Sequence, residues 1–137
     1  MQRAYAAMRV HQRHIIAGVL TKLGIDPRER MSDHDQDAEY TACRSEEVGR
    51  YFELYARGAI DDAERSILCC FLLEGLNELI QAGTPHPQQA DIFAALFAAG
   101  EIHRAELAYW MDRSDPDEES WWPISRPLLD HPSAPSR

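Results

Sequence analysis

The sequence lacks a hydrophobic run long enough to cross a membrane. Its longest apolar runs, residues 67–73 and 92–99, fall far short of the ~18–20 residues that a membrane-spanning helix needs. Residues 1–14 contain arginines and histidines where a secretion signal would place its apolar segment. We therefore expect a cytoplasmic protein with no membrane contact.

Cysteine is scarce as well. The three cysteines are Cys43, Cys69 and Cys70, an odd number, and two neighbours on a helix point about 100° apart. A disulfide framework is therefore not expected. Cys69 and Cys70 are predicted to be small buried hydrophobic residues in a reducing compartment.

No motif in the sequence specifies a reaction. It contains no G-x-S-x-G, no phosphate-binding loop, no G-x-G-x-x-G and no paired C-x-x-C. We predict no catalytic residue, no bound metal and no cofactor, and hence a protein that is not an enzyme.

The sequence also has fewer basic than acidic residues. The chain has 14 Lys and Arg against 23 Asp and Glu, a net charge of −9. Residues 1–30 carry a net charge of +4 and residues 31–66 a net charge of −6. An acidic surface repels phosphate backbones and attracts basic proteins, so nucleic-acid binding is unlikely and a basic protein partner is expected.

Residues 61–82 are the stretch around which the chain is organised. Asp61 is an N-cap candidate, Gly83 suits the position after the helix, and the apolar run between them covers most of the helix circumference. A helix of this kind must contact several neighbours, so it is predicted to be central. Its polar edge is predicted to consist of Glu74, Asn77, Glu78 and Gln81.

The complete pattern predicts an all-α protein, a compact bundle of about four main helices in one domain, residues 1–112. The predicted helices cover residues 2–23, 33–57, 61–82 and 87–111. A break near Cys43 to Ser45 would divide the second helix into two shorter pieces. Residues 113–137 are predicted to form an irregular, acidic and Pro-rich tail.

An acidic stretch and two tryptophans are the candidate partner-binding residues. The D-x-D-x-D pattern that starts at Asp33 is not an EF-hand, because Ala38 and Arg44 stand where the loop needs Gly and Glu. The tryptophans either cap the bundle or anchor an interface. The predicted surface consists of Asp33, Asp35, Asp37, Glu39, Glu46, Glu47, Asp61, Asp62, Trp121 and Trp122.

His103 and Glu106, three residues apart, are the alternative site. With Glu74 and Glu78 they resemble part of the ligand set of carboxylate-bridged metal bundles. The sequence has this H-x-x-E once, in reversed order, and has no second copy. A hydrogen-bonded histidine in the core is the commoner explanation for such a residue.

Three functional hypotheses follow from these patterns. The first is a non-catalytic binding protein, most concretely a bacterial immunity or antitoxin-like protein that neutralises a basic toxin. The second is a metal- or histidine-dependent helical-bundle enzyme. The third is a regulatory or chaperone-like adaptor, with a homodimer as one possible form in which basic first helices meet acidic surfaces.

Overall fold

The computed structural model of the protein describes residues 2–32 and 37–135, with side chains from residue 12 onward. Within these ranges the chain is all-helical and contains no strand. No helix among the described residues is both long and apolar enough to span a membrane. The described residues form seven α-helices: α1 (Gln2–Lys22), α2 (Ala38–Thr41), α3 (Val48–Arg57), α4 (Asp62–Gln81), α5 (Gln89–Ala98), α6 (Gly100–Trp110) and α7 (Ser125–Asp130).

Helix α4 begins and ends at the predicted signals. The Asp61 side chain accepts a hydrogen bond from the Glu64 N–H at 2.8 Å, and the Glu64 side chain accepts one from the Asp61 N–H at 3.0 Å. This reciprocal pair satisfies two amides that have no partner inside the helix. Gly83 follows the helix with a φ of 77°, a conformation that other residues adopt at a cost.

Helix α4 lies at the centre of the fold, as predicted. It contacts α1, α2, α3, α5 and α6, and residues 67–73 are all buried. At Gly75 an added Cβ would lie 2.5 Å from a methyl group of Val48. Only glycine allows α3 to begin so close to α4, and hydrophobic contact with α4 on nearly every side holds the other helices in place.

Two predicted helices are each divided in the structure. The prediction of one helix over residues 33–57 is wrong, and the alternative break near Cys43 to Ser45 is confirmed. Arg44 is extended there, and its N–H donates to the Tyr51 hydroxyl at 2.8 Å instead of to a carbonyl one turn earlier. The predicted start of this helix, residues 33–36, lies outside the described ranges.

The second division separates α5 from α6 at Ala99, so a single helix over residues 87–111 is also wrong. Ala99 has φ −103° and ψ 38°, outside helical geometry, and Gly100 follows it. Glycine costs about 1 kcal/mol relative to alanine inside a helix, which favours a break at this point. Because two of the four predicted main helices are divided, the described residues form a larger number of helices than predicted. Their arrangement is compatible with a bundle.

Residues 113–137 contain a helix that the sequence pattern did not predict. Ile124, which immediately precedes α7, and Leu128 within it are fully buried in the core. The Asn77 side-chain oxygen accepts a hydrogen bond from the Ile124 N–H at 3.0 Å, and the Ser125 hydroxyl donates to the Trp110 carbonyl at 2.6 Å. Asn77 is therefore buried beneath this segment, and its predicted place on a free polar edge is wrong.

Candidate functional site

The predicted acidic surface separates into residues with different surroundings. Asp33 and Asp35 lie outside the described residues. Asp37 and Glu46 are exposed, and Glu39 is half-buried. Asp61 caps α4, and Asp62 is exposed with the Arg65 guanidinium 3.5 Å away. Because Asp61 and Glu74 lie roughly 20 Å apart along α4, the two ends of this helix carry separate surfaces.

Glu47 belongs to a buried network. Its two carboxylate oxygens accept hydrogen bonds from Arg30 at 2.7 and 2.8 Å, and the Tyr51 hydroxyl donates to it at 2.8 Å. Only 9% of Glu47 is exposed. The Arg30 guanidinium holds the pKa of Glu47 below its usual value, against the opposing effect of burial. Glu47 therefore stabilises the fold and is not available to a partner.

The two tryptophans also have different surroundings. The Trp121 indole N–H donates to the Asp115 carbonyl at 2.8 Å, and the Arg126 guanidinium lies 5.3 Å from the centre of its ring. Trp122 packs its ring against Trp110, with the centres 5.3 Å apart, yet remains 43% exposed. Trp121 thus has its polar and cationic partners within the chain, whereas Trp122 presents open ring surface.

Four aromatic rings and two carboxylates meet at this surface, which we call the aromatic–carboxylate patch. Helix α2 contributes one ring, α4 one carboxylate, α6 two rings and one carboxylate, and the loop before α7 the last ring. The patch consists of Tyr40, Glu74, Glu106, Tyr109, Trp110 and Trp122.

The rings of the patch form a connected row. Tyr40 and Tyr109 are 6.3 Å apart with an interplanar angle of 24°, and Tyr109 and Trp122 are 5.8 Å apart with an angle of 32°. Trp110 lies behind Tyr109 in an edge contact at 5.2 Å and is buried. Tyr109 and Trp122 are 47% and 43% exposed, so two large rings face solvent side by side.

Glu106 is held in place by two of these rings. The Tyr40 hydroxyl donates to its Oε1 atom at 2.9 Å, and the Trp110 indole N–H donates to the same atom at 3.0 Å. Burial, and then the Glu106 carboxylate, raise the pKa of Tyr40 far above its usual value. Tyr40 is therefore protonated at neutral pH and remains a hydrogen-bond donor.

Negative charge accumulates around Glu74 without compensation. Half-burial raises its pKa, and the Glu78 and Glu106 carboxylates raise it further. Burial is also the largest cause that raises the pKa of Tyr109, and the carboxylates of Glu106, Glu74 and Asp37 raise it further. Across the described ranges no Lys, Arg or His side chain forms an ion pair with Glu74, Glu78 or Glu106. The patch is therefore an aromatic surface inside a negative field.

The alternative site does not assemble around a metal. Glu74, Glu78 and Glu106 lie close enough to influence one another, but His103 faces the opposite end of α4, near Asp62 and Arg65. Among the described residues no three His, Cys, Asp or Glu side chains are arranged to hold a metal ion.

His103 instead forms a buried pair with Tyr55. The Tyr55 hydroxyl lies 2.7 Å from the His103 Nε2 atom, the histidine is 1% exposed, and its Nδ1 atom has no partner. Burial lowers the pKa of His103, with Asp62 opposing and Arg65 adding to the effect, and burial raises the pKa of Tyr55 to about 12. At neutral pH both groups are uncharged and closed off from solvent.

This pair predicts a loss of stability on mild acidification. In the unfolded chain His103 takes up a proton near the usual histidine pKa of 6.5, whereas folded His103 resists protonation, so its full contribution is present above pH 6.5 and decreases below it. Between pH 7.5 and pH 5 this effect lowers the free energy of unfolding by at most about 2 kcal/mol. Urea unfolding of wild type and of His103→Phe at both pH values measures this effect. The free energy of unfolding should fall more between pH 7.5 and pH 5 in wild type than in the variant, and the difference between the two decreases is the contribution of His103. Exposed His14, changed to Gln, is the control, and an identical pH dependence in wild type and His103→Phe would contradict the prediction.

The cysteines are equally enclosed. Cys43, Cys69 and Cys70 are free and buried, and burial raises the pKa of each thiol. The reactive thiolate form is therefore suppressed.

A separate cleft of about 730 Å³ lies beside the break between α5 and α6. Most of its lining is apolar and includes Phe97, Ile102, Leu107 and Met111, with Glu101 and Arg104 as its charged residues. Of the predicted site residues that the structure describes, none lines this cleft. Compared with known proteins, the chain matches no family model, no curated protein and no solved structure.

Proposed function

We propose that this chain is a non-catalytic protein that binds a basic protein partner. Its most concrete form is a bacterial immunity or antitoxin-like protein that neutralises a basic toxin in the cytoplasm. The observation that supports this proposal is the aromatic–carboxylate patch, where the rings of Tyr109 and Trp122 are exposed and the Glu74 and Glu106 carboxylates act on Tyr109.

The chemistry of the patch suits protein recognition. Tryptophan and tyrosine supply much of the binding energy at interfaces, since they bury a large area at little conformational cost. Uncompensated carboxylates favour a positively charged partner and speed its association. Exposed Asp37 extends the same negative field, because it acts on the Tyr109 hydroxyl.

The position of the patch on the fold also favours binding over catalysis. Trp122 is held by a loop whose next residues, Ile124 and Ser125, are hydrogen-bonded into the core. The ring surface is thereby fixed before a partner arrives, which reduces the entropy lost on binding. His103, Tyr51 and the cysteines are buried titratable side chains, and they lie beneath the surface, where a substrate would not reach them.

The double variant Tyr109→Ala/Trp122→Ala should lose most of its partner affinity. Removing two anchor rings from the centre of an interface weakens binding by about thirtyfold or more. The partner is first captured from lysate of the native cell on immobilised wild-type protein and identified; its affinity for each variant is then measured with purified proteins at low and high salt. Binding should weaken as salt rises, because the partner is basic.

Ile102→Ala is the matched control, since Ile102 is a large hydrophobic residue of the same helix with 37% exposure. Equal affinity of wild type and the double variant would refute the patch as the interface, and an acidic partner would refute the charge argument.

The adaptor alternative is a homodimer, in which a second copy of this chain offers its basic residues 1–30. Light scattering at low and high salt that finds only a monomer would exclude it.

A further inference from the structure

We infer that the aromatic–carboxylate patch receives an arginine side chain of the partner, whose guanidinium group lies on the exposed rings of Tyr109 and Trp122 and pairs with Glu74. This inference rests on the proposed function, because it specifies which chemical group of a basic protein the patch recognises.

The first argument is the missing cation. Glu74 is half-buried, the charged groups that act on it are the carboxylates of Glu78 and Glu106, and it forms no hydrogen bond or ion pair with the side chains of the described ranges. A partly desolvated carboxylate among like charges is unfavourable in the free protein. An arriving cation removes that cost and gains charge-assisted hydrogen bonds.

The second argument is the shape of the acceptor. Guanidinium is planar, carries five N–H donors, is weakly hydrated and stacks on aromatic faces, whereas ammonium is compact and strongly hydrated. The rings of Tyr109 and Trp122 are 5.8 Å apart and tilted at 32° to each other, both keep open surface, and the Glu106 and Glu74 carboxylates act on Tyr109. Flat rings beside carboxylate oxygens therefore match guanidinium better than they match the lysine head group.

The chain already contains a smaller example of this pairing. Arg126 lies over the Trp121 ring at 5.3 Å and also pairs with the Glu118 carboxylate. Trp122, the next residue, lies against Tyr109 and Trp110, and no Lys or Arg of the described residues stacks on its ring. The geometry at Trp121 shows that an arginine can stack on an indole and pair with a glutamate at the same time on this surface.

The test uses small amides in place of the unidentified partner. N-acetyl-argininamide, N-acetyl-lysinamide and N-acetyl-citrullinamide are titrated into the full 15N-labelled chain, and the three indole N–H signals are followed by NMR. Citrulline has nearly the shape of arginine without its charge. The expected result is saturable movement of the Trp110 and Trp122 signals with arginine, with a Kd on the order of 1 mM for so small a ligand. The lysine and citrulline amides should bind at least about fivefold more weakly.

Trp121 serves as an internal control, because its indole N–H and its ring already have partners, and its signal should not move. Glu74→Gln should weaken the arginine affinity by about tenfold. The neutral side chain also removes the unfavourable like charges at this position, so the variant is expected to fold. Glu101→Gln, on the exposed side of α6, should bind like wild type.

Equal responses to arginine and citrulline, or arginine-induced shifts that Glu74→Gln does not change, would overturn the inference. The proposed function fails separately. If the double variant lacking Tyr109 and Trp122 still binds the basic partner, the patch is not the interface; if that variant loses the partner while arginine amide has no effect, the interface stands and only its arginine specificity is wrong.

Discussion

Changing Arg30 to methionine should lower the free energy of unfolding by about 3 kcal/mol. The Arg30 and Glu47 side chains are only 15% and 12% exposed, and they share two short hydrogen bonds. Methionine keeps most of the aliphatic length of arginine but leaves the buried Glu47 carboxylate with only the Tyr51 hydroxyl at 2.8 Å and the more distant, half-exposed Arg50 guanidinium at 3.5 Å. Removing one partner of a buried pair costs about 3–5 kcal/mol, because the remaining charge lacks compensation. Urea unfolding at pH 7 measures the difference.

The effect of Arg30 should also depend on pH with a definite sign. Arg30 holds the pKa of Glu47 below the usual glutamate value of 4.5, so the stability it contributes is complete above that value and is lost as the pH falls through the folded pKa. The gap between wild type and Arg30→Met should therefore narrow as the pH approaches 4. Arg28→Met is the control, since Arg28 pairs with Asp26 at the surface, and it should unfold like wild type. A gap that stays constant with pH would show that packing, and not the ion pair, accounts for the loss.

Changing Leu72 to alanine should destabilise the protein by about 3 kcal/mol more than the same change at Leu79. Leu72 has no exposed surface and lies in the most buried part of α4, whereas Leu79 is half-buried near the end of the helix. A Leu→Ala change in a core costs about 2–5 kcal/mol through lost burial and the cavity that remains. Both variants change helix propensity by the same amount, so the difference isolates packing. Thermal and urea unfolding of the two variants measure it, and equal losses would contradict a core centred on α4.

The helices that the sequence predicted best carry their signals locally. Asp61, Glu64 and Gly83 define the ends of α4, and the run of apolar residues between them identifies the buried helix without any tertiary information. The break at Arg44 depends instead on a hydrogen bond from its N–H to the Tyr51 hydroxyl, a contact that exists only once the helices pack. The sequence is therefore compatible both with one continuous helix over residues 33–57 and with a break near Cys43 to Ser45.

The candidate site was predictable only in pieces. The sequence alone indicates Trp122 as one of two adjacent tryptophans that could anchor an interface, and it indicates Glu74 and Glu106 as possible metal ligands. Tyr40 and Tyr109 carried no signal, because 69 positions of chain separate residues that the fold brings to 6.3 Å. The charge pattern alone places Glu47 among the surface acids. Tyr51 lies four residues later, at the spacing of a helical side-chain pair, and this spacing is a local sign that Glu47 has a partner within the chain. Its stronger partner, Arg30, lies in a separate loop and gave no local indication.

The late position of Trp122 in the chain has a consequence for protein synthesis. Helices α1 to α6 precede it, and the hydrogen bonds of Asn77 to Ile124 and of Trp110 to Ser125 hold its loop in place only after α7 has been translated. A ribosome-bound chain that has emerged through residue 110 contains the main helices but lacks one of the two exposed rings of the patch. The aromatic–carboxylate patch is thus incomplete until residues 121–125 have been synthesised and have docked against the earlier helices, so a chain truncated after residue 110 would lack the ring of Trp122.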